Sequence, residues 1–230
     1  MGERFFLSAA PRDGRAVLTG DEARHFARVL RGKVGDAIDV FDGSGRAWPA
    51  RVVTIGRDEV ALEIGTPRDE PEPALAVTIA VALPKGERQK WLVEKLTEVG
   101  VNRLVPLITT RGVAEATPAA CDRLRRGVIE ASKQCGRSRL MQIDSPRSIT
   151  ELLAREPSGT RVVVADPGAA PLSARRGSRA LGLVGPEGGL TADELAAVEA
   201  AGGERAGLGP HVLRVETAAV VLAVRLEAGA

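Results

Sequence analysis

The run LAVTIAVAL, Leu75 to Leu83, constrains the fold more than any other stretch of the chain. It is apolar almost without alternation, the pattern of a strand covered on both faces. Such strands sit in parallel sheets between two layers of helices. The segments that follow fit that architecture. RQKWLVEKLTEVG reads as a helix, with Leu92, Leu96 and Val99 on one stripe and Gly100 as its stop. RLVPLIT reads as the next strand. AACDRLRRGVIEASKQCG reads as a helix with Cys121, Leu124, Val128, Ala131 and Cys135 on its apolar face. RLMQI, RVVVAD, ALGLVG and ERAGLG supply further strands; LTADELAAVEAAG and VETAAVVLAVRLEA supply further helices. The pattern predicts an α/β domain with a mostly parallel sheet.

The residues before Thr66 carry a different pattern, that of a small β-rich module. RFFL, RAVL, AIDVF, RAWPARVV and EVALEI are short strands, and DGSG is a hairpin turn. Pro49 places the fourth of these at an edge or a bulge. DEARHFARVLR is helical, with Ala23, Phe26, Ala27 and Leu30 on one face. TPRDEPEP, Thr66 to Pro73, has no apolar period and reads as a linker. The expected domains are residues 1–70 and 74–230.

Composition excludes several function classes. No apolar run approaches the ~20 residues of a membrane span. MGERFFLSAA is too short and too charged for a signal peptide, so a soluble intracellular protein is expected. Cys121 and Cys135 would lie roughly 21 Å apart on one helix, too far for a disulfide, and both read as core filling. Two cysteines and two histidines, scattered, form no metal-ligand pattern. Net charge is only +2, but Arg24, Arg28, Arg31 and Lys33 cluster in one segment. Arg123, Arg125, Arg126, Lys133, Arg137 and Arg139 cluster in another. Local basic patches on a near-neutral chain suit either a polyanion or two solvated helix faces.

The chemistry concentrates in LVGPEGGLTADEL, Leu183 to Leu195. A strand, a glycine-rich loop and a helix form a general ligand-binding device beyond the carboxyl end of a sheet. Thr191 and Glu194 have capping-box spacing, which starts the helix just after the loop. The loop lacks the Lys and Ser/Thr of a phosphate-binding P-loop and carries Glu187 instead. A neutral or zwitterionic ligand suits it better than a triphosphate; a tight structural turn is the alternative. LGPHVLRVETAAVVLAV, Leu208 to Val224, repeats the construction, and its Ala/Val helix should be buried in the domain or in a subunit interface.

These two segments in this order resemble the C-terminal signature of the SPOUT methyltransferases, and within them the RsmE family. That family methylates N3 of a uridine in bacterial 16S ribosomal RNA. The similarity spans nearly the whole chain. DEARHFARVLRGKVGDAIDVFDGSG is similar to the family's N-terminal PUA-like RNA-binding β-barrel. ALPKGERQKWLVEKLTEVGVNRLVPLIT is similar to its first strand–helix–strand, and EASKQCGRSRLMQI to its basic segment. His211 departs from the pattern, standing where Arg or Lys is expected.

The resemblance implies a SPOUT α/β domain with a deep trefoil knot, which no general rule of topology anticipates. It implies S-adenosylmethionine as cofactor, 16S ribosomal RNA or the small ribosomal subunit as substrate, a homodimer, and a cytoplasmic location. It places cofactor binding at Leu183, Val184, Gly185, Pro186, Glu187, Gly188 and Gly189, and at Leu208, Gly209, Val212, Leu213 and Arg214. Arg214 and Glu187 are the expected catalytic residues. Arg24, His25, Arg28, Arg31, Lys33, Arg123, Arg125, Arg126, Lys133, Arg137 and Arg139 are the expected RNA contacts. No metal and no membrane are expected. Rival readings are an inert RNA-binding or assembly factor and a SPOUT enzyme acting on another target, such as tRNA ribose 2′-O.

Overall fold

The computed structural model describes residues 3–112, 117–173 and 177–228. The chain divides into two compact units. One comprises Met1–Glu72 with Ser132–Leu140; the other comprises Pro73–Ala131 with Met141–Ala230.

The first unit is a six-stranded mixed sheet built from β1 (Arg4–Phe6), β2 (Arg15–Thr19), β3 (Ala37–Phe41), β4 (Arg46–Ile55), β5 (Glu59–Ile64) and β6 (Arg68–Asp69). The order is β1-β3-β4-β5-β2, with β6 on β4. Only β1 and β3 run parallel. Alternation along each strand turns Leu18, Val40, Trp48, Val52, Val60 and Leu62 inward onto Phe5 and Phe26. The β-rich module expected from the sequence is this sheet.

Three details depart from the sequence reading. DEARHFARVLR is not one α-helix: α1 (Gly20–Arg24) runs into a π-helical turn at His25–Val29, where the Leu30 N–H donates to the His25 carbonyl at 3.1 Å. The wider turn rotates the chain, so Ala23 and Phe26 are buried while Leu30 is exposed. Pro49 lies inside β4, which is paired on both sides. Its carbonyl accepts the Gly65 N–H at 2.8 Å, just past the end of β5, so its missing donor falls where that ladder is already ending. The bulge lies further on, between Val52 and Thr54. The linker is also ordered: β6 forms inside it, and Glu70 accepts the Arg139 N–H at 2.9 Å.

That last bond belongs to a larger arrangement tying Ser132–Leu140 to the N-terminal strands. The Arg4 guanidinium lies 4.5 Å from the centre of the Phe41 ring. It donates to the carbonyls of Ser132 (3.2 Å) and Arg137 (3.1 Å) and to Ser138 Oγ (2.7 Å). Burial pulls the Arg4 pKa below its ordinary value, opposed by the nearby Asp39 charge. These acceptors take up three of the five guanidinium N–H groups, which offsets part of the cost of burying the charge.

The second unit is a parallel sheet of β7 (Ala76–Val81), β8 (Arg103–Ile108), β9 (Gln142–Ile143), β10 (Arg147–Ser148), β11 (Arg161–Ala165), β12 (Arg179–Val184) and β13 (Glu204–Ala206). Its order is β10-β8-β7-β12-β11-β13, with β9 also on β8. The helices are α2 (Glu87–Glu98), α3 (Pro118–Cys135, which ends in the first unit), α4 (Ile149–Leu153), α5 (Ala192–Ala200) and α6 (Val215–Ala228). One set of strand side chains, including Val105, Val164, Leu181 and Leu183, packs with Ile149 and Leu152 of α4 and Val198 of α5. The opposite face meets α6 so closely that a Cβ on Gly182 would lie 2.7 Å from Leu222 Cδ2. LAVTIAVAL is thus a central strand covered on both faces, as its composition predicts.

RLMQI contracts to the two-residue β9, and Cys121 is buried whereas Cys135 is only half-buried; both are free thiols. α6 is not buried all round: Val224 is 45% exposed on it, and Trp91 of the neighbouring α2 is 41% exposed.

Candidate cofactor and catalytic site

Strand β12 ends at Val184, and the chain turns through Gly185 to Leu190 into α5. The turn closes where the Gly189 N–H donates to the Pro186 carbonyl at 2.8 Å. Gly189 has φ +71°, a conformation that glycine adopts without strain. Gly185 is required by the loop itself. A Cβ there would lie 2.9 Å from Leu190 Cγ and 3.3 Å from the Leu190 nitrogen. The glycine pattern alone suggests clearance for a ligand; much of that clearance is taken by Leu190 folding back.

The end of β8 clamps the same loop. Arg111 Nη1 donates to the Gly188 carbonyl at 2.8 Å, and the Thr110 N–H donates to Glu194 Oε1, also at 2.8 Å. Glu194 simultaneously completes the expected capping box with Thr191. Partial burial opposes ionisation of Glu194, but the N–H groups of Thr191 and Thr110 outweigh it and hold its pKa below the ordinary value.

The second loop, Gly207 to Arg214, is laced to the segment after β11. The Asp166 N–H donates to the Ala206 carbonyl (3.0 Å) and the Gly207 N–H to the Ala170 carbonyl (2.8 Å). A Cβ on Gly207 would lie 2.2 Å from the Ala169 carbonyl oxygen, so this crossing admits only glycine. At the carboxyl ends of β11 and β12 the loops enclose a cavity of about 400 Å³. A cleft at that edge of a parallel sheet is the usual place for a ligand.

Of the expected cofactor residues, Val184, Gly185, Pro186, Glu187, Gly189, Leu208, Gly209, Val212, Leu213 and Arg214 line this cavity. Leu183 does not: side chains alternate along β12, and Leu183 is fully buried on the α4–α5 face. Gly188 is turned to Arg111. Sequence reasoning misses Asp166 and Pro167, which follow β11, and His211, Leu190, Leu195, Val215 and Ala218. A carboxylate immediately after an apolar strand is the available signal for Asp166.

The charges are arranged in pairs. Asp166 lies 3.4 Å from Arg205, which also meets Glu199. Glu187, half exposed at the cavity, lies 3.4 Å from Arg88 of α2. Arg88 is 3.8 Å from Glu216, buried in the first turn of α6. These contacts take up Glu187 and Glu216, and no described carboxylate pairs with the Arg214 side chain. The cavity therefore presents one uncommitted guanidinium, two carboxylates already opposed by arginines, and apolar walls from Val184, Leu190, Leu195, Leu208 and Leu213. A flat heterocycle joined to a zwitterion fits this set. A triphosphate would meet Asp166 and Glu187.

The basic residues separate into two kinds. Arg28, Arg31 and Lys33 are exposed on the first unit, and Arg123 and Arg126 on α3. Arg24 pairs with Asp21, and Arg125 with Asp122 at 2.7 Å. Lys133 is built into the fold instead. Its ammonium lies 2.9 Å from Glu22 and 5.8 Å from the Phe5 ring centre, and its side chain is only 13% exposed. Arg139 meets Glu72 at 2.8 Å and packs over Gly45. Arg137 supplies a carbonyl to Arg4. His25 is half-buried with its ring 6.1 Å from that of Phe5. Among the described residues no cluster of His, Cys, Asp and Glu could hold a metal ion, and no helix is long and apolar enough to cross a membrane.

Comparison with known proteins agrees with this geometry. A family described as RNA methyltransferase domain matches residues 70–227, and one described as RNA methyltransferase PUA domain matches residues 18–65. Ribosomal RNA small subunit methyltransferase E of Mycobacterium bovis is 35% identical, over 94% of this chain and 88% of its own. The Bacillus subtilis protein of the same name is 30% identical, over 87% and 85%. The crystal structure of a ribosomal RNA small subunit methyltransferase E from Neisseria gonorrhoeae bound to S-adenosyl methionine superposes with TM-score 0.91 at 27% identity, covering 99% of this chain and 98% of that one. The SPOUT-class α/β domain and the PUA-like module expected from the sequence are those of this group, and the chain belongs to the ribosomal RNA small subunit methyltransferase E family of RNA methyltransferases.

Proposed function

We propose that this chain transfers the methyl group of S-adenosylmethionine to N3 of a uridine in the 16S RNA of the small ribosomal subunit. The observation that carries the reading is the cavity of about 400 Å³ where the loops after β11 and β12 meet the start of α6. Its walls suit an adenine ring, and its mixed charges suit an amino-acid zwitterion. The relatives named for the small-subunit RNA, and the Neisseria structure with its bound S-adenosyl methionine, support the same assignment.

The cofactor supplies a methyl group already activated for transfer. What remains for the protein is to position the base and manage its proton. N3 of uracil lies on the Watson–Crick edge, so the uridine reacts unpaired or flipped out. Arg214, uncommitted to any described carboxylate, stabilises the negative charge that develops on a uracil carbonyl oxygen as the N3 proton leaves. Glu187, half exposed at the same wall, accepts that proton on a carboxylate oxygen. The exposed arginines of α3 and the exposed Arg28, Arg31 and Lys33 hold RNA phosphates. With aromatics at only 3%, shape rather than base stacking dominates recognition. The exposed apolar side chains Trp91 and Val224 support assembly as a homodimer, and the enzyme works in the cytoplasm on ribosomal RNA. The trefoil knot of the SPOUT fold belongs to this same reading.

Titration calorimetry with S-adenosylhomocysteine, and with ATP as control, tests the cofactor assignment. Saturable binding of the first and none of the second is expected. The reverse would overturn it.

A further inference from the structure

Glu216 is the one buried carboxylate at this site, among the described residues, that the proposed chemistry leaves unused. It is 6% exposed, and its Oε2 atom has no hydrogen-bond partner. Its described ion pair is with Arg88 Nη1 at 3.8 Å, and the same nitrogen lies closer to Glu187, at 3.4 Å. A buried carboxylate without full compensation is costly, and so asks for a reason. Arg88 can neutralise one of its two acids. The group of three carries a surplus negative charge, and Glu187 places part of that group in the cavity wall.

The two forms of the cofactor differ in charge. S-adenosylmethionine carries a sulfonium, an ammonium and a carboxylate, for a net charge of +1. After methyl transfer the sulfur is a neutral thioether, and the net charge is zero. Resting on the proposed function, we propose that the Arg88–Glu187–Glu216 group is a charge filter. The surplus carboxylate of Glu216 favours the sulfonium donor over the spent thioether, so the product is released rather than retained. Glu216 acts here as a specificity-determining residue through Arg88 and Glu187. The remaining charges around the cavity do not cancel this bias: Arg205 lies between Asp166 and Glu199, and Arg214 is the one opposing cation among the described lining residues.

The test is a set of calorimetric dissociation constants for S-adenosylmethionine, S-adenosylhomocysteine and sinefungin, whose amine carries a positive charge in place of the sulfonium. In the Glu216→Gln protein, the ratio of the S-adenosylhomocysteine constant to the S-adenosylmethionine constant should fall by roughly three- to tenfold, the effect of one unit charge in a partly solvated pocket. Sinefungin should weaken with S-adenosylmethionine, while S-adenosylhomocysteine should hold. An unchanged ratio, or equal weakening of all three ligands, overturns the filter and leaves Glu216 a packing role. If Glu216→Gln does not fold, Glu187→Gln carries the test: that side chain is half exposed, and its loss removes one charge from the same group. The ratio should fall there too; no change refutes the proposal. Failure of the wild-type protein to bind any of the three would instead refute the methyltransferase reading on which the filter rests.

Discussion

Glu194 holds two segments at once: its Oε2 accepts the Thr191 N–H at 2.7 Å within the capping box of α5, and its Oε1 accepts the Thr110 N–H at 2.8 Å from the loop after β8. The start of α5, the glycine-rich loop before it and the end of β8 are therefore one mechanical element. Replacing Thr191 by Ala removes one side of the capping box and should cost about 1 kcal/mol of stability, measured by urea unfolding. Glu194→Gln should cost a comparable amount and weaken cofactor binding as the loop loosens. A loss of stability with unchanged binding would separate the cap from the site.

Because the Glu194 pKa is held below its ordinary value in the folded chain, its contribution has a definite sign with pH. The stabilisation is complete above the unfolded carboxylate value, about 4.3, and disappears as pH falls through the folded value. Unfolding free energies measured downward from pH 6 should fall less steeply for Glu194→Gln than for the wild type.

Gly185 is fixed by contact with Leu190, so Gly185→Ala should cost about 1–3 kcal/mol through overpacking, even with no ligand present. The measurement is thermal unfolding of the free protein. An unperturbed midpoint would mean that Leu190 gives way and that the glycine serves the ligand alone.

Arg214→Ala should lower kcat by roughly 10²- to 10³-fold, a larger effect than its weakening of cofactor binding, because the guanidinium acts where charge develops. Arg214→Lys should recover part of the loss. Near-normal turnover in the alanine protein would remove Arg214 from the chemistry.

The exposed arginines of α3 and Lys133 should behave oppositely. Arg123→Ala and Arg126→Ala should each weaken RNA binding and flatten its logarithmic salt dependence by about 0.7–0.9. Lys133→Met should leave that slope alone and destabilise the protein by about 1–3 kcal/mol, since it removes the ammonium from Glu22, whose side chain is only 15% exposed and keeps the Phe6 N–H. A reduced salt slope for Lys133→Met would return it to the RNA surface.

Legibility in the sequence follows the range of the interactions. The capping box at Thr191 and Glu194, the buried strand β7 and the two Gly-bearing loops are local features, and their residue order alone shows them. The box at Ser148 and Glu151, which starts α4, is equally local, yet it emerges only from the structure. Lys133, Arg88 and Asp166 are hidden from a sequence reading because their partners, Glu22, Glu216 and Arg205, lie far away along the chain. Nothing in the run around Lys133 distinguishes a buried ammonium from a phosphate contact. Leu183 is misplaced for a different cause: the loop motif includes it, but the two-residue period of the strand sends its side chain to the opposite face. The π-helical turn at His25–Val29 changes the helical period, and a fixed period puts Leu30 on the wrong face.

The most direct measurement is nucleoside mass spectrometry of 16S RNA from unmethylated small subunits incubated with the enzyme and methyl-deuterated S-adenosylmethionine. The label should appear as 3-methyluridine at a single site, and far more slowly with Arg214→Ala. Label in a ribose 2′-O-methyl group, on another base, or nowhere in the RNA would contradict methyl transfer to uridine N3.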